Sequence, residues 1–299
     1  YHGLGKTFIA SQRFGDAMTV LDQARHISRR NLGLFNIDQT GIIDDQTTAL
    51  VGLGDMANAM ALQETRLNLA VRTYGENSPA VVPYHYHLAD YYTASRLKNR
   101  AHDQYQKATE VLETNIDEHA AELLPPLKAI IALNISSRDR GAEAVRIRSI
   151  LDNNEDLDPS ERAFALTSLG DWHLVRLENT EDAFRYYRAA YEAAPIENRE
   201  DMFSVPALLD FVAPMTALSQ RKARRSRSAV GEITLTFTVE SDGTTSEARV
   251  VAANPPNLME GDYLERLAVA RFRPRFVKGV PVETQHTRMS HHFWYFVEN

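Results

Sequence analysis

A chain of 299 residues, 43% apolar and 24% charged, has an ordinary globular composition and enough length for two domains. Its net charge of −7 is uneven: residues 1–200 hold 29 acidic and 21 basic side chains, while residues 201–299 hold 11 and 12. An acidic amino-terminal part argues against general nucleic-acid binding, which must neutralise phosphates. With no cysteine, any zinc site would need histidine and carboxylates. No apolar run approaches the roughly 20 residues of a spanning helix.

Helical patterns come in pairs that repeat every 35 to 42 residues or so, a spacing typical of helical repeats. The first pair places Gly5, Phe8, Ala17, Leu21 and Ala24 at packing positions. A second, degenerate pair covers about Asp38 to Tyr74, with Gly54-Asp55 at its turn echoing Gly15-Asp16. The third is the clearest: Leu88, Ala89 and Tyr92 on one helix face Ala101, Tyr105 and Ala108 on the next. A fourth covers about Glu118 to Leu151, with Pro125-Pro126 in or just before its first helix. The fifth carries Leu169, Gly170 and His173, then Ala183, Tyr187, Ala190 and Pro195, and needs one extra turn residue between Leu177 and Thr180.

This alternation of small and large residues resembles tetratricopeptide (TPR) repeats. The linker Tyr74-Gly-Glu-Asn-Ser-Pro79 resembles the kinesin-light-chain type. The resemblance implies an α-solenoid of about five hairpins over residues 1–200, whose stacked pairs share a core that none could form alone. Tyr84, Tyr86, Tyr91 and Tyr92 crowd one helix, and Tyr186, Tyr187 and Tyr191 another. Most belong to the repeat core; Tyr84, Tyr91 and Tyr186 are candidates to line a peptide-binding groove.

Residues 201–229 read as a linker, a capping segment or an extended arm. Phe203 to Leu218, with Pro206 and Pro214, is either a broken capping helix or an arm that adds to a sheet. The run Arg221-Lys-Ala-Arg-Arg-Ser-Arg227 reads as a solvated joint, with an anion-binding patch as the rival.

Beyond residue 230 the period changes to two. Ile233, Leu235, Phe237 and Val239 alternate with Glu232, Thr234, Thr236 and Thr238, the mark of a half-buried strand. Ser241-Asp-Gly243 signals a turn, Thr245 to Ala253 a second strand, and Asn254-Pro-Pro256 its end. Asp262 and Glu265 have the spacing of a capping box, with Leu264, Leu267 and Ala268 on the helix face behind it. Ala270-Arg-Phe-Arg-Pro274 follows, then Gly279-Val-Pro-Val282 as a turn-like break. The final strand runs from about Thr284 to Val297. Met289, His291, Phe293, Tyr295 and Val297 form its packed face, and Arg288, Ser290, His292, Trp294 and Phe296 point the other way.

The order of Asp242-Gly243, Phe272-Arg-Pro274, Gly279-Val-Pro-Val282 and an aromatic last strand resembles the C-terminal domain of the TonB energy-transducer family. That resemblance covers residues 230–299 and implies a small α+β domain that binds an extended peptide of an outer-membrane transporter along its last strand. Arg288, Ser290, His292, Trp294 and Phe296 are then the partner-binding residues, on the edge from Gln285 to Val297. It also implies a periplasmic location. The spanning helix and proline-rich rod of a full transducer are not in this chain. Because it begins at Tyr1, a processed signal or an anchor upstream is an expectation.

The functional expectation is a non-enzymatic protein-interaction module linked to TonB-type transport, with an envelope scaffold as the rival and no cofactor. Gly3-Leu-Gly-Lys-Thr7 only superficially resembles the end of a phosphate loop, since no strand precedes it. His85 and His87 are two apart, which on a helix separates them, and no GxSxG elbow occurs.

Overall fold

The computed structural model describes residues 1–134, 141–214 and 228–296. The described residues divide into two compact units, one formed by Tyr1–Asn134 with Gly141–Asn154, the other running from Glu155 onward. The first unit is a run of helical hairpins: α1 (His2–Ala10) with α2 (Phe14–Leu32), α3 (Gln39–Gly52) with α4 (Met56–Tyr74), α5 (Val82–Ala94) with α6 (Lys98–Asn115), and α7 (Leu124–Asn134) with α8 (Ala142–Asn153). Pro125 and Pro126 fall in the first turn of α7, where a missing N–H costs nothing.

Small residues set the approach of paired helices. Ala17, Ala59, Ala89, Ala101 and Ala108 are fully buried. A side chain on Gly5 would run into Leu21, and one on Gly170 into the ring of Tyr187, so each pair is close-packed where the sequence placed its small residue. The first three hairpin turns share one geometry. Gln12, Gly54 and Arg96 take φ of 56°, 78° and 60°. The next N–H then donates back to Phe8, Leu50 and Tyr92, at 2.8, 2.9 and 2.8 Å. The first turn thus falls at Gln12–Arg13, and Gly15–Asp16 lie inside α2 instead, because Arg13 already stands at its N-cap.

The second unit opens on a fifth hairpin, α9 (Pro159–Arg176) and α10 (Thr180–Ala193). Its turn is one residue longer: Asn179 N–H donates to His173 O, six residues back instead of five. Asp158 caps α9 by accepting from Ser160 and Glu161 N–H at 2.9 and 3.1 Å. After α11 (Ile196–Met202), strand β1 (Ala207–Asp210) pairs antiparallel with β4 (Arg271–Arg273). The Phe203 segment therefore supplies an extended arm over these residues, but to a two-stranded pair separate from the main sheet; residues 215–227, with the basic run, lie outside those described.

The main sheet has the order β3-β2-β7, from β2 (Ser228–Val239), β3 (Thr245–Asn254) and β7 (Thr284–Phe296). Ile233, Leu235, Phe237 and Val239 face its core with Tyr263, Leu267, Ala270, Phe272 and Phe293. Tyr263 and Leu267 belong to α12 (Glu260–Ala268). The expected cap at Asp262 is not formed. Met259 is the N-cap residue, and Glu260 accepts from Asn257 N–H at 2.9 Å. The N-cap thus falls three residues earlier, and the buried stripe differs from the expected one: Ala268 is exposed and Tyr263, absent from the expected face, is fully buried. Gly279-Val-Pro-Val282 is also more than a break. Lys278 and Gly279 form the turn of a hairpin between β5 (Arg275–Val277) and β6 (Val280–Val282). Three-residue strands are too short to show a period.

Candidate functional site

Within the second unit, the fifth hairpin and the short strands share a core. Phe276 of β5 packs between Phe203, Tyr187 and Phe184, with ring centroids 5.1, 5.5 and 6.1 Å away, and its N–H donates to Phe203 O at 3.0 Å. Arg273 Nη1 lies 3.2 Å from Asp171 Oδ2 on α9, and Tyr187 Oη donates to Asp171 Oδ1 at 2.8 Å. Burial raises the Asp171 carboxyl pKa, and the Arg273 charge opposes the rise. Gly243 takes φ of 85° and sits against the Phe272 carbonyl and Leu174, so the Asp-Gly turn also rests on α9. This base carries the sheet.

The edge of that sheet is β7. It pairs with β2 in ten consecutive positions, from Ser228↔Phe296 to Phe237↔Thr287, and has no strand on its other side among the described residues. The opposite edge, β3, is interrupted by two register shifts and lies against α12. Bulges and cover discourage pairing there, whereas β7, apart from one register shift near His286 (φ 58°), offers a regular row of backbone donors and acceptors from Thr287 to Phe296.

The two faces of β7 divide as their parity predicts. Met289, His291, Phe293 and Tyr295 turn to the core; Phe293 is buried, and the Tyr263 Oη lies 2.6 Å from His291 Nδ1. Arg288, Ser290 and His292 are exposed on the outer face. There the Ser290 and Thr234 hydroxyls are 2.7 Å apart and His292 Nε2 is 4.0 Å from Glu232. Trp294 and Phe296 have backbone opposite Val230 and Ser228, and their side chains, with Val297, lie outside the described residues.

Of the three groove candidates, Tyr84 and Tyr91 belong to the first unit and Tyr186 to the second. In the first unit, Tyr84 lies under the Arg66 guanidinium at 4.5 Å and 6.5 Å from the Tyr74 ring, both on α4. Arg66 Nε is in turn 2.8 Å from Asp44 Oδ1 on α3. Burial raises the pKa of Tyr91, and the Asp44 charge adds to it. These two tyrosines thus stand in the seam between hairpins, a placement for which the Asp44–Arg66 partnership gave no sequence signal. Tyr186 is in the second unit, with its ring 4.9 Å from His173.

His85 is buried against Gln104 Oε1 at 2.9 Å, with its pKa lowered chiefly by burial, while His87 is exposed. No group of three or more potential metal ligands occurs among the described residues. The Gly3–Thr7 stretch lies within α1. A cavity of about 300 Å³ is lined mainly by apolar side chains, Ala163, Phe164, Ala194, Pro195 and Met202, with Ser160 and Asp201 beside them. No helix of the described residues is long and apolar enough to cross a membrane.

No protein-family model and no curated protein matches the sequence. Solved structures do match. A putative kinesin light chain with nearly identical TPR-like repeats from Podosopora anserina is 13% identical, with a TM-score of 0.50 over 63% of this chain and 92% of its own. BtubC (BKLC) from P. vanneervenii is 19% identical, with a TM-score of 0.50 over 72% of this chain and 83% of its own. The helical part therefore has a TPR-like fold.

Proposed function

We propose that this chain is a non-enzymatic protein-interaction module whose second unit binds an extended peptide by strand addition to β7. The observation that carries this reading is the run of ten paired residues between β2 and β7, from Thr287 to Phe296, whose far side has no strand neighbour among the described residues. The TPR-like hairpins support a second protein contact, because stacked repeats present extended concave surfaces. A link to TonB-type outer-membrane transport in the periplasm is the finer part of the proposal. It rests on the ordered match of Asp242-Gly243, Phe272-Arg-Pro274 and the aromatic last strand.

Amide hydrogen exchange tests strand addition directly. In an antiparallel edge strand, alternate N–H groups point away from the sheet. On peptide binding, every second amide between Thr287 and Phe296, the regularly paired stretch, is expected to gain protection. Uniform, unchanged exchange along β7 in a demonstrated complex would place the contact elsewhere. Capture of a transporter peptide from the outer membrane supports the transport link; capture only of envelope assembly components supports a scaffold.

A further inference from the structure

We infer, resting on the strand-addition reading, that Arg288 selects a guest strand with an acidic side chain in register beside it. The outer face of β7 is a row of Arg288, Ser290 and His292, each with a cross-strand neighbour on β2. Two of these are already matched: Ser290 with the Thr234 hydroxyl, and His292 with the Glu232 carboxylate. The third is not. Arg288 stands opposite Thr236, and on the far side of Thr236 stands Arg249 of β3. This row therefore holds two exposed guanidiniums across three strands and no carboxylate, and neither arginine makes an ion pair among the described residues.

A strand laid along β7 brings a side chain to about 5 Å, Cβ to Cβ, from Arg288. A glutamate or aspartate there completes the row, whereas a lysine adds a third like charge. Backbone pairing alone accepts any extended sequence, so this position supplies discrimination. The inner row sets the rest of the pattern: next to Met289, His291, Phe293 and Tyr295 the guest's alternate residues must be apolar. The fitting occupant is an extended segment of another protein that alternates apolar with polar residues and carries an acid at the Arg288 register. A second copy of β7 fits poorly, since antiparallel self-pairing sets the Arg288–His292 row against itself.

The test uses the full chain and two fluorescein-labelled peptides, Thr-Val-Thr-Val-Glu-Val-Thr-Val-Thr and the same sequence with Lys at the centre. Fluorescence anisotropy is expected to show the glutamate peptide binding about fivefold more tightly, the upper range for one cross-strand charge pair. Arg288→Glu should reverse the preference, and Arg249→Glu, one further strand away, should change it much less. Equal affinity of both peptides, unmoved by Arg288→Glu, would overturn charge selection while leaving strand addition standing. If neither peptide binds, both readings are overturned. A concentration-dependent dimer that excludes the peptides would make a second copy the occupant and overturn the selection.

Discussion

Arg273 and Asp171, 102 positions apart in the chain, meet at 3.2 Å in the interior of the second unit, where each side chain is less than a fifth exposed. One stands on a three-residue strand and the other in the middle of α9. A buried pair of this kind contributes little relative to an apolar replacement, but breaking it strands a charge.

Arg273→Met is therefore expected to destabilise the second unit by about 3 kcal/mol or more, and Asp171→Asn added to it should recover much of the loss. The pH dependence has a definite sign. Burial already raises the Asp171 pKa, and without Arg273 the rise grows. The folded variant then holds a proton that the unfolded chain releases, so its stability falls as pH rises from the ordinary carboxylate range through the raised value. The double variant should lose that slope. Urea melts across acidic to neutral pH measure both effects.

At the Asp242-Gly243 turn, Gly243→Ala meets two obstacles, a left-handed backbone and the Phe272 carbonyl oxygen in the space a Cβ needs. A loss of about 2 kcal/mol or more is expected, read as a lowered thermal midpoint. Gly54→Ala, also at positive φ but with open space around it, should cost only the backbone strain, about 1 kcal/mol.

Alkaline pH should unlock the third hairpin. Burial holds the phenol of Tyr86 up at about 12. Tyr92 is also pushed to about 12, first by burial and then by the Glu64 carboxylate that accepts its hydrogen bond at 2.6 Å. Tyr105 is raised by burial and by Asp90. The folded state keeps these protons where the unfolded chain, titrating near 10, gives them up, so the stability they contribute is intact below pH 10 and lost above it. Tyrosinate absorbance and helical circular dichroism should change together above pH 10 in the wild type, and Tyr92→Phe should soften the transition.

Truncation gives a further test. A chain ending near Gln220 leaves Phe203, Tyr187 and Phe184 without Phe276. It is expected to keep the first four hairpins helical and to lose the fifth, seen as weakened protection of α9 and α10 amides. Residues 155–299 should fold alone, whereas residues 230–299 should not hold their short strands.

Where a segment is long and one of its faces is buried, its sequence states its role. Ile233 to Val239 alternates without interruption, and Leu88, Ala89 and Tyr92 with Ala101 and Tyr105 mark a close-packed pair. The extra residue in the fifth turn was legible because the two flanking patterns fix their own register. Other features left no local trace. Gln12 and Arg96 take the left-handed turn position that Gly54 holds in the second hairpin, so composition hides the shared geometry. Tyr263 was missed because Asp262 has the look of a cap; with Met259 at the N-cap, three residues earlier, Tyr263 lies one turn before Leu267 on the buried face. The fifth hairpin reads like the other four, yet Asp171–Arg273 and Phe276–Phe203 join it to the sheet, and contacts so distant in sequence carry no periodic signal. At the candidate edge, alternation revealed the faces of β7, but Arg249 became relevant only once β3 was set in register with β2.

The β2–β7 ladder also has a mechanical consequence. A pull on a strand laid along β7, directed along its axis, would load ten successive residue pairs in parallel, with no single bond at a peeling front. Pulled sideways, the same pairs would open one after another. The seam is thus strong lengthwise and weak crosswise, whichever polypeptide grips it.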